Sequence, residues 1–394
     1  MKEKLSLPKG WELKTIGDVC VSASSNVSQN KLADDEGDYP IFGASGLIKK
    51  VSFYHQDKPY LSIVKDGSGF GRITKMDAFT SVIGTLQYIL PKENIDLDYL
   101  NYSLMSVDFK KYVAGAAIPH IYFKDYKNEP FLLMPLPEQQ RIVSILDEAF
   151  SAIAKALANA EQNLKNAKEL FESYLQGVFE KIFEARETKR ISEVAKVIGG
   201  YSFKSVDFKK EGKYQVIRMG NVRPGIIRKN ESPVFIDELE EKALTKALLI
   251  PKDVIITQTG TKNKRDYGFT VIIEKENYLL NQRIAAIRFK KEYLPEFFLY
   301  FSWTNIFKDQ YFANETGTVG QGNVGIGAIT DSQVPYIPLK EQQTIVRQLD
   351  ALRVETQKLE AVYQKKLDDL EELKKSILQK AFAGELKNEK AILV

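Results

Sequence analysis

The chain has 394 residues, 44% of them hydrophobic and 27% charged, ordinary values for a globular protein long enough for two or three domains. One cysteine, Cys20, excludes an internal disulfide, and with only His55 and His120 beside it there are too few ligands for a structural zinc site. A net charge of +4 permits nucleic-acid binding without requiring it. No apolar run approaches the roughly 18 residues that span a bilayer, and Met1-Lys2-Glu3-Lys4 leads into no signal-peptide core, so a cytoplasmic protein is expected.

Residues 1–137 alternate short apolar segments with turn signals. Tyr39-Pro40-Ile41-Phe42 runs into Gly43-Ala44-Ser45-Gly46, and Tyr60-Leu61-Ser62-Ile63-Val64 precedes the glycine loop Asp66-Gly67-Ser68-Gly69-Phe70-Gly71. Val82 to Leu90, rich in apolar, β-branched and aromatic residues and closed by Pro91, predicts a strand, and Leu97 to Phe109 carries apolar residues at helical spacing. An α+β domain rich in loops is expected. Residues 138–184 change texture. Ile142, Leu146, Ile153, Leu157, Leu164, Phe171 and Val178 belong to one apolar stripe stepped by threes and fours, with no proline and one glycine, Gly177. Such a helix, on the order of 65–70 Å long at 1.5 Å per residue, must bury its stripe against a partner.

Residues 185–340 return to the first texture. Ile191-Ser192-Glu193-Val194 stands opposite Ile16-Gly17-Asp18-Val19, and Tyr214-Gln215-Val216-Ile217 opposite Tyr39-Pro40-Ile41-Phe42, at an offset of 175 (191 − 16). Leu294 to Phe307 takes the place of the first domain's helix. Residues 341–388 predict a second long helix, striped by Leu349, Leu352, Leu359, Leu370 and Ile377, ahead of a short tail, 389–394. Its opening, Pro338-Leu339-Lys340-Glu341-Gln342-Gln343-Thr344-Ile345-Val346, repeats Pro135-Leu136-Pro137-Glu138-Gln139-Gln140-Arg141-Ile142-Val143 at an offset of 203 (338 − 135). Ser173, Leu175, Gln176 and Phe179 return at that offset as Ser376, Leu378, Gln379 and Phe382. The growth in offset gives the second copy 28 more residues (203 − 175). The plan is two similar α+β domains joined and separated by two long helices. As an antiparallel coiled coil the helices would bury each other's stripes and give a pseudo-two-fold repeat; pairing of each helix with another molecule is the alternative.

On these residues the chain resembles the specificity subunits of type I restriction-modification systems. The likeness is carried by Pro-Leu-x-Glu-Gln-Gln-x-Ile-Val at the start of each long helix, Leu-Gln-x-x-Phe near each helix end, and the order of domains and helices, so it covers essentially the whole chain. Tyr39 to Gly46 is similar to a form common near the start of that family's target recognition domains, whereas Arg218-Met219-Gly220-Asn221 is closer to another form. The resemblance implies that residues 1–137 and 185–340 each read half of a split double-stranded DNA site. It implies that helices 138–184 and 341–388 set the spacer, and that the chain docks two adenine methyltransferase subunits, which two motor-nuclease subunits could join for restriction. S-adenosylmethionine, and the ATP and magnesium of restriction, would then belong to those partners, with no catalytic residue, metal or cofactor in this chain.

The residues themselves agree with a non-catalytic reading. Gly320-Gln321-Gly322-Asn323-Val324-Gly325 matches the G-x-G-x-x-G dinucleotide fingerprint, but Ile329 to Pro335 is too short and polar for the helix that fingerprint needs, so a flexible loop is expected. Phe42 to Gly46 faintly suggests a methyltransferase glycine loop, yet the chain has no Pro-Pro pair for the Asn/Asp-Pro-Pro-aromatic motif of adenine methyltransferases. Asp237, Glu240 and Lys242 could be set out as a nuclease-like group and read better as a solvated, helix-like face.

DNA binding calls for Lys and Arg on phosphates, and for Arg, Asn and Gln on base edges. In the second domain Lys262, Asn263, Lys264 and Arg265 form a basic loop after an apolar strand; Gln282 and Arg283 precede another; Arg218, Asn221 and Arg223 follow Val216-Ile217; Gln321 and Asn323 add amides. In the first domain Lys49 and Lys50 follow the Gly43–Gly46 turn, Lys65, Ser68 and Arg72 flank the glycine loop, and His120 stands opposite Asn323 at the 203 offset. The two domains differ in sequence, so an asymmetric site is expected. The competing reading is a coiled-coil adaptor with two protein-binding domains and no role on DNA.

Overall fold

The repeat in the sequence returns as a repeat in strand order. The structure, a computed structural model, describes residues 9–115, 118–318 and 320–385. It divides into two units, one of residues 1–161 with 364–394 and one of residues 162–363. The boundaries therefore fall inside the long helices rather than at their ends.

In unit 1 the four-stranded sheet runs Cys20–Ser24, Leu86–Pro91, Tyr60–Val64, Ile73–Met76, with every pair antiparallel. Tyr60–Val64 is buried at each position, as a central strand covered on both faces must be. A second sheet runs Gly46–Val51, Tyr39–Gly43, Ser81–Val82, the last pair parallel. The single strand expected over Val82 to Leu90 is thus two strands in different sheets. The break falls at Gly84, whose N–H is drawn aside to the Val27 carbonyl at 2.8 Å. The helix expected to reach Phe109 spans Leu97–Met105, capped at its start by Asp96, whose carboxylate accepts from the N–H groups of Asp98 and Tyr99. Phe109–Tyr112 is a separate 3-10 turn with its own cap, Asp108.

In unit 2 the order is Ala195–Gly199, Ile284–Phe289, Val254–Thr257, Thr270–Ile272, again antiparallel throughout. Its second sheet runs Phe235–Ile236, Tyr214–Ile217, Tyr278–Leu280, again with one parallel pair. The helix expected over Leu294 to Phe307 is two helices, Pro295–Phe301 and Asn305–Phe312. Thr304 separates them by accepting the Phe307 N–H with its hydroxyl, a helix N-cap. The polar stretch from Asp237 contains a helix only over Glu241–Ala247. The glycine-rich segment expected to be a loop is also ordered: Gln321–Asn323 is the middle strand between Thr259–Gly260 and Thr316–Thr318, and a six-residue helix, Ile326–Asp331, follows. The dinucleotide fingerprint is therefore part of a β-sheet.

The long helices span Leu136–Ala185, 50 residues, and Leu339–Phe382, 44 residues. The second closes at Phe382; positions 386–388 and the expected tail 389–394 lie outside the described residues. Each helix starts on the same joint. Gln139, fully buried, donates from Nε2 to the carbonyls of Asn94 and Met134 and accepts the Asp96 N–H at 2.8 Å on Oε1. Gln342, equally buried, donates to Glu292 and Ile337 and accepts the Leu294 N–H at 2.7 Å. About two turns further on, the Tyr102 hydroxyl donates to Asp147 and the Tyr300 hydroxyl to Asp350, both at 2.5 Å.

Within each unit the two helices pair. In unit 1 Ile142, Leu146 and Ile153 share a core with Ile377 and Ala381, with Leu157 and Leu370 packed at its edge. In unit 2 Leu175 and Phe179 share a core with Val346 and Leu349, with Phe171 at its edge, and Arg186 meets Glu341 at 3.4 Å. The partner of each stripe is thus in the same chain. The expected seam needs correction in its middle. Leu164, Val178 and Leu352 are only half-buried, and Leu359 is 41% exposed. Through the middle, full burial follows steps of seven, along Gln139, Leu146, Ile153, Ala160 and Ala167 on one helix and Gln342, Leu349, Thr356 and Ile377 on the other, while Ile142, Leu175, Phe179, Val346 and Ala381 are buried off that line towards the helix ends. Small Ala and Thr at these positions suit close helix approach, and Leu359 stands three residues off that line.

Candidate nucleic-acid interface

In unit 1 the strand Tyr60–Val64 delivers the chain to an exposed edge. There the Lys65 N–H donates to the Thr85 carbonyl at 3.0 Å and the Lys65 carbonyl accepts the Ile121 N–H at 2.9 Å. This brings the glycine loop against the segment before Ile121, so that His120 Nδ1 lies 2.6 Å from Asp66 Oδ1. The imidazole stacks on Tyr122, with ring centroids 6.2 Å apart and planes 20° apart, and the Lys124 ammonium sits 5.2 Å from the centre of the Tyr122 ring. A basic group and an aromatic ring alternate along one exposed edge, a pattern suited to nucleic acid. Arg72 reaches across to the Ala44 carbonyl and walls a cleft of about 250 Å³ with Phe42, Gly43, Ser45 and Val64. Lys65, Ser68, Arg72 and His120 therefore come together. Lys50 is exposed on its strand, away from them. Lys49 is otherwise engaged: its ammonium donates to the carbonyls of Leu32 at 2.9 Å and Ala33 at 3.2 Å, tying its strand to a neighbouring turn.

Unit 2 builds the same frame. The Gln258 N–H donates to the Arg283 carbonyl at 2.9 Å, and its carbonyl accepts the Val324 N–H at 2.9 Å. Arg283 and Asn323 are thereby held on either side of one residue. Arg283 is exposed at φ 67°, a left-handed backbone that a non-glycine residue adopts only under constraint. Arg218, Asn221, Ser232, Gln282 and Arg283 line a cleft of about 540 Å³. Asn221 does not present its amide to that cleft. It is buried, donates to the carbonyls of Arg228 and Glu231 and accepts the Arg218 N–H, so it shapes the loop. Arg223 likewise donates to its own loop, at Gly220 and Val222. Arg218 donates to the Ser232 carbonyl.

The basic loop is less basic than its sequence. Arg265 pairs with Asp309 at 2.7 Å, the Asn263 N–H donates to Glu315, and the Lys262 ammonium donates to the Gly317 carbonyl. The Thr261 hydroxyl and N–H hold the Asp266 carboxyl below its usual range, which keeps that carboxylate charged inside the loop. Of the four, Lys264 and Asn263 have exposed side chains that make no hydrogen bond among the described residues. Gln321 is exposed on the central strand, and Asn323 beside it accepts from the Thr259 hydroxyl at 3.3 Å. Sequence reasoning missed Asp66, Tyr122, Lys124, Gln258 and Thr259. The alternation His120-x-Tyr122-x-Lys124 was the one signal available. Among the described residues no group of three or more His, Cys, Asp or Glu could hold a metal ion, and no helix is long and apolar enough to cross a membrane.

Comparisons with known proteins bear on this arrangement. The family model for the type I restriction modification DNA specificity domain matches residues 8–163 and again 184–372. The chain is 25% identical over 287 residues to the EcoKI type I restriction enzyme specificity subunit of Escherichia coli K12; the match covers 69% of this chain and 61% of that relative's length. Among solved structures, a chain reported for complex assembly and conformational transition of the type I restriction-modification system is similar over 97% of this chain and 100% of its own, with a TM-score of 0.74 at 17% identity. The HsdS subunit of Thermoanaerobacter tengcongensis is similar over 96% of this chain and 98% of its own, with a TM-score of 0.58 at 18% identity. At these identities the structural likenesses speak to the fold.

Proposed function

Because the chain belongs to the type I restriction modification DNA specificity domain family, we propose that it is the DNA-reading, non-catalytic subunit of a type I restriction-modification enzyme. Each unit reads one half of an asymmetric split site, and the long helices set the spacing. The observation that supports this most is the duplicated exposed frame, which carries His120 in unit 1 and Asn323 in unit 2 at the same place with different neighbours. Lys50, Lys65, Lys124, Arg72, Lys264 and Arg283 are suited to phosphates, and His120, Gln282, Gln321 and Asn323 to base edges. On this reading the protein is cytoplasmic and binds two adenine methyltransferase subunits, joined by two motor-nuclease subunits for restriction. S-adenosylmethionine, ATP and magnesium are used by those partners.

The reading is tested by sequencing methylated adenines in a host that expresses the chain with a methyltransferase partner. Two short specific blocks around an unread spacer are expected; a continuous or absent motif would sink it. Binding to random duplex should also fall steeply with salt, as counterion release demands, whereas a protein-binding adaptor would show no such dependence. Inserting seven residues into both long helices adds about 10 Å of rise, or about three base pairs. The spacer should lengthen while both blocks stay unchanged, and a change in either block would refute the ruler.

Arg283 gives a sharper check at one residue. A left-handed backbone costs an L-residue roughly 1–2 kcal/mol, so Arg283→Gly should stabilise unit 2 by about 1 kcal/mol in urea melts. The same variant should weaken duplex binding. Lower stability would mean that the arginine side chain serves the fold instead.

A further inference from the structure

His120 and Asn323 are each the middle residue of a three-strand ladder. His120 bridges antiparallel to Asp66 on one side and Ala114 on the other. Asn323 pairs antiparallel with Thr259 and with Thr316. A glycine opens both hairpins: a Cβ at Gly115 would come within 2.5 Å of the Ile118 carbonyl oxygen, and one at Gly317 within 2.1 Å of that of Gln321. In each ladder a neighbour holds the central side chain by a different chemistry. A carboxylate only accepts, so Asp66 takes the hydrogen of His120 Nδ1, and in the neutral form of the ring that leaves Nε2 as an acceptor. The Thr259 hydroxyl donates to Asn323 Oδ1 and leaves the Nδ2 group as a donor. Tyr122, stacked on the imidazole, fixes the plane of the ring as well.

We propose that Asp66 and Thr259 are positioning residues that set opposite hydrogen-bond polarity at one equivalent reading position in the two half-sites. His120 accepts and Asn323 donates. The inference rests on the DNA-reading function proposed above. In the major groove an acceptor selects the amino group of cytosine or adenine, and a donor selects guanine O6 or N7, thymine O4 or adenine N7. The first half-site therefore carries an amino-bearing base, whereas the second excludes cytosine, which offers no acceptor in the major groove.

The test is selection of bound sequences from a random duplex pool by the full chain. Wild type should return two blocks, each with about a tenfold preference at the position concerned. Thr259→Val should bring that preference near parity in one block only, and Thr259→Ser should restore it. Asp66→Asn, whose amide can donate to Nδ1 and move the hydrogen to Nε2, should relax or reverse one position of the other block only. In each variant the unaffected block shows that the chain is folded. If both variants keep both blocks unchanged, or if each loses both blocks together, the positioning role is refuted while the DNA-reading function stands. If wild type returns no pair of blocks, the functional reading fails and this inference fails with it.

Discussion

Replacing Gln342 by Leu should destabilise unit 2 by about 3–5 kcal/mol, and Gln139→Leu should do the same to unit 1. Each side chain fills a fully buried site and satisfies three backbone groups there: two carbonyls and the N–H that starts or precedes a helix. Leucine fills much of the volume and satisfies none of the three. A buried polar group left unpaired costs about 1–3 kcal/mol, so three together reach the range given, less whatever relaxation recovers. Hydrogen exchange read by mass spectrometry would locate the damage. In Gln342→Leu the amides around Leu294 and the first turn of the second long helix should exchange faster, while those around Asp96 keep their protection. Equal protection in variant and wild type would mean that water replaces the glutamine without loss.

Arg288→Leu should cost a similar amount for a different reason. Asp253 is fully buried, and Arg288 grips it with two bonds of 2.7 Å, from Nε and Nη2. The carboxylate raises the arginine's pKa through that hydrogen bond, so the guanidinium is charged at any working pH. The rest of the carboxylate is used on the Ile250 N–H at 2.9 Å. Removing the arginine strands a buried charge, which typically costs 3–5 kcal/mol, about the full penalty because Asp253 has no exposed surface. Arg288→Lys should recover only part of it, since an ammonium cannot make the paired grip. Adding Asp253→Asn to Arg288→Leu should recover more than half, measured as urea midpoints. If Arg288→Leu melts at the wild-type midpoint, the pair is not what holds the turn before Val254–Thr257.

The helix-start motif shows why the architecture was legible. Nothing in Gln139 alone announces a three-bond joint, but its return as Gln342 in the same surroundings exposed the repeat, and strand order then followed it. Local signals were weaker wherever a distant partner decided the outcome. The basic run from Lys262 to Arg265 looks uncompensated until the fold brings Asp309 and Glu315 beside it. Asn221 and Lys49 have the right chemistry for DNA and spend it on backbone carbonyls, Asn221 within its own loop and Lys49 on a neighbouring turn. The apolar run around Gly84 fits one strand by composition, and only its competing bond to Val27 divides it. The seam was legible as a stripe and not as a line, because threes and fours mark a face while in the middle of the helices full burial follows sevens.

Unit 1 is sewn from two distant parts of the chain, and this sets an order on its synthesis. Its core needs Ile377 and Ala381 from the second long helix, whereas unit 2 lies in one continuous stretch. At the usual 5–20 residues per second the ribosome takes roughly 10–40 s to travel from residue 161 to residue 377. Through that interval Ile142, Leu146 and Ile153 wait without their partners, and unit 2 can finish first. Synthesis that stalled between residues 363 and 377 would leave unit 2 complete and unit 1 with an open apolar face, a natural client for a chaperone or a seed for aggregation.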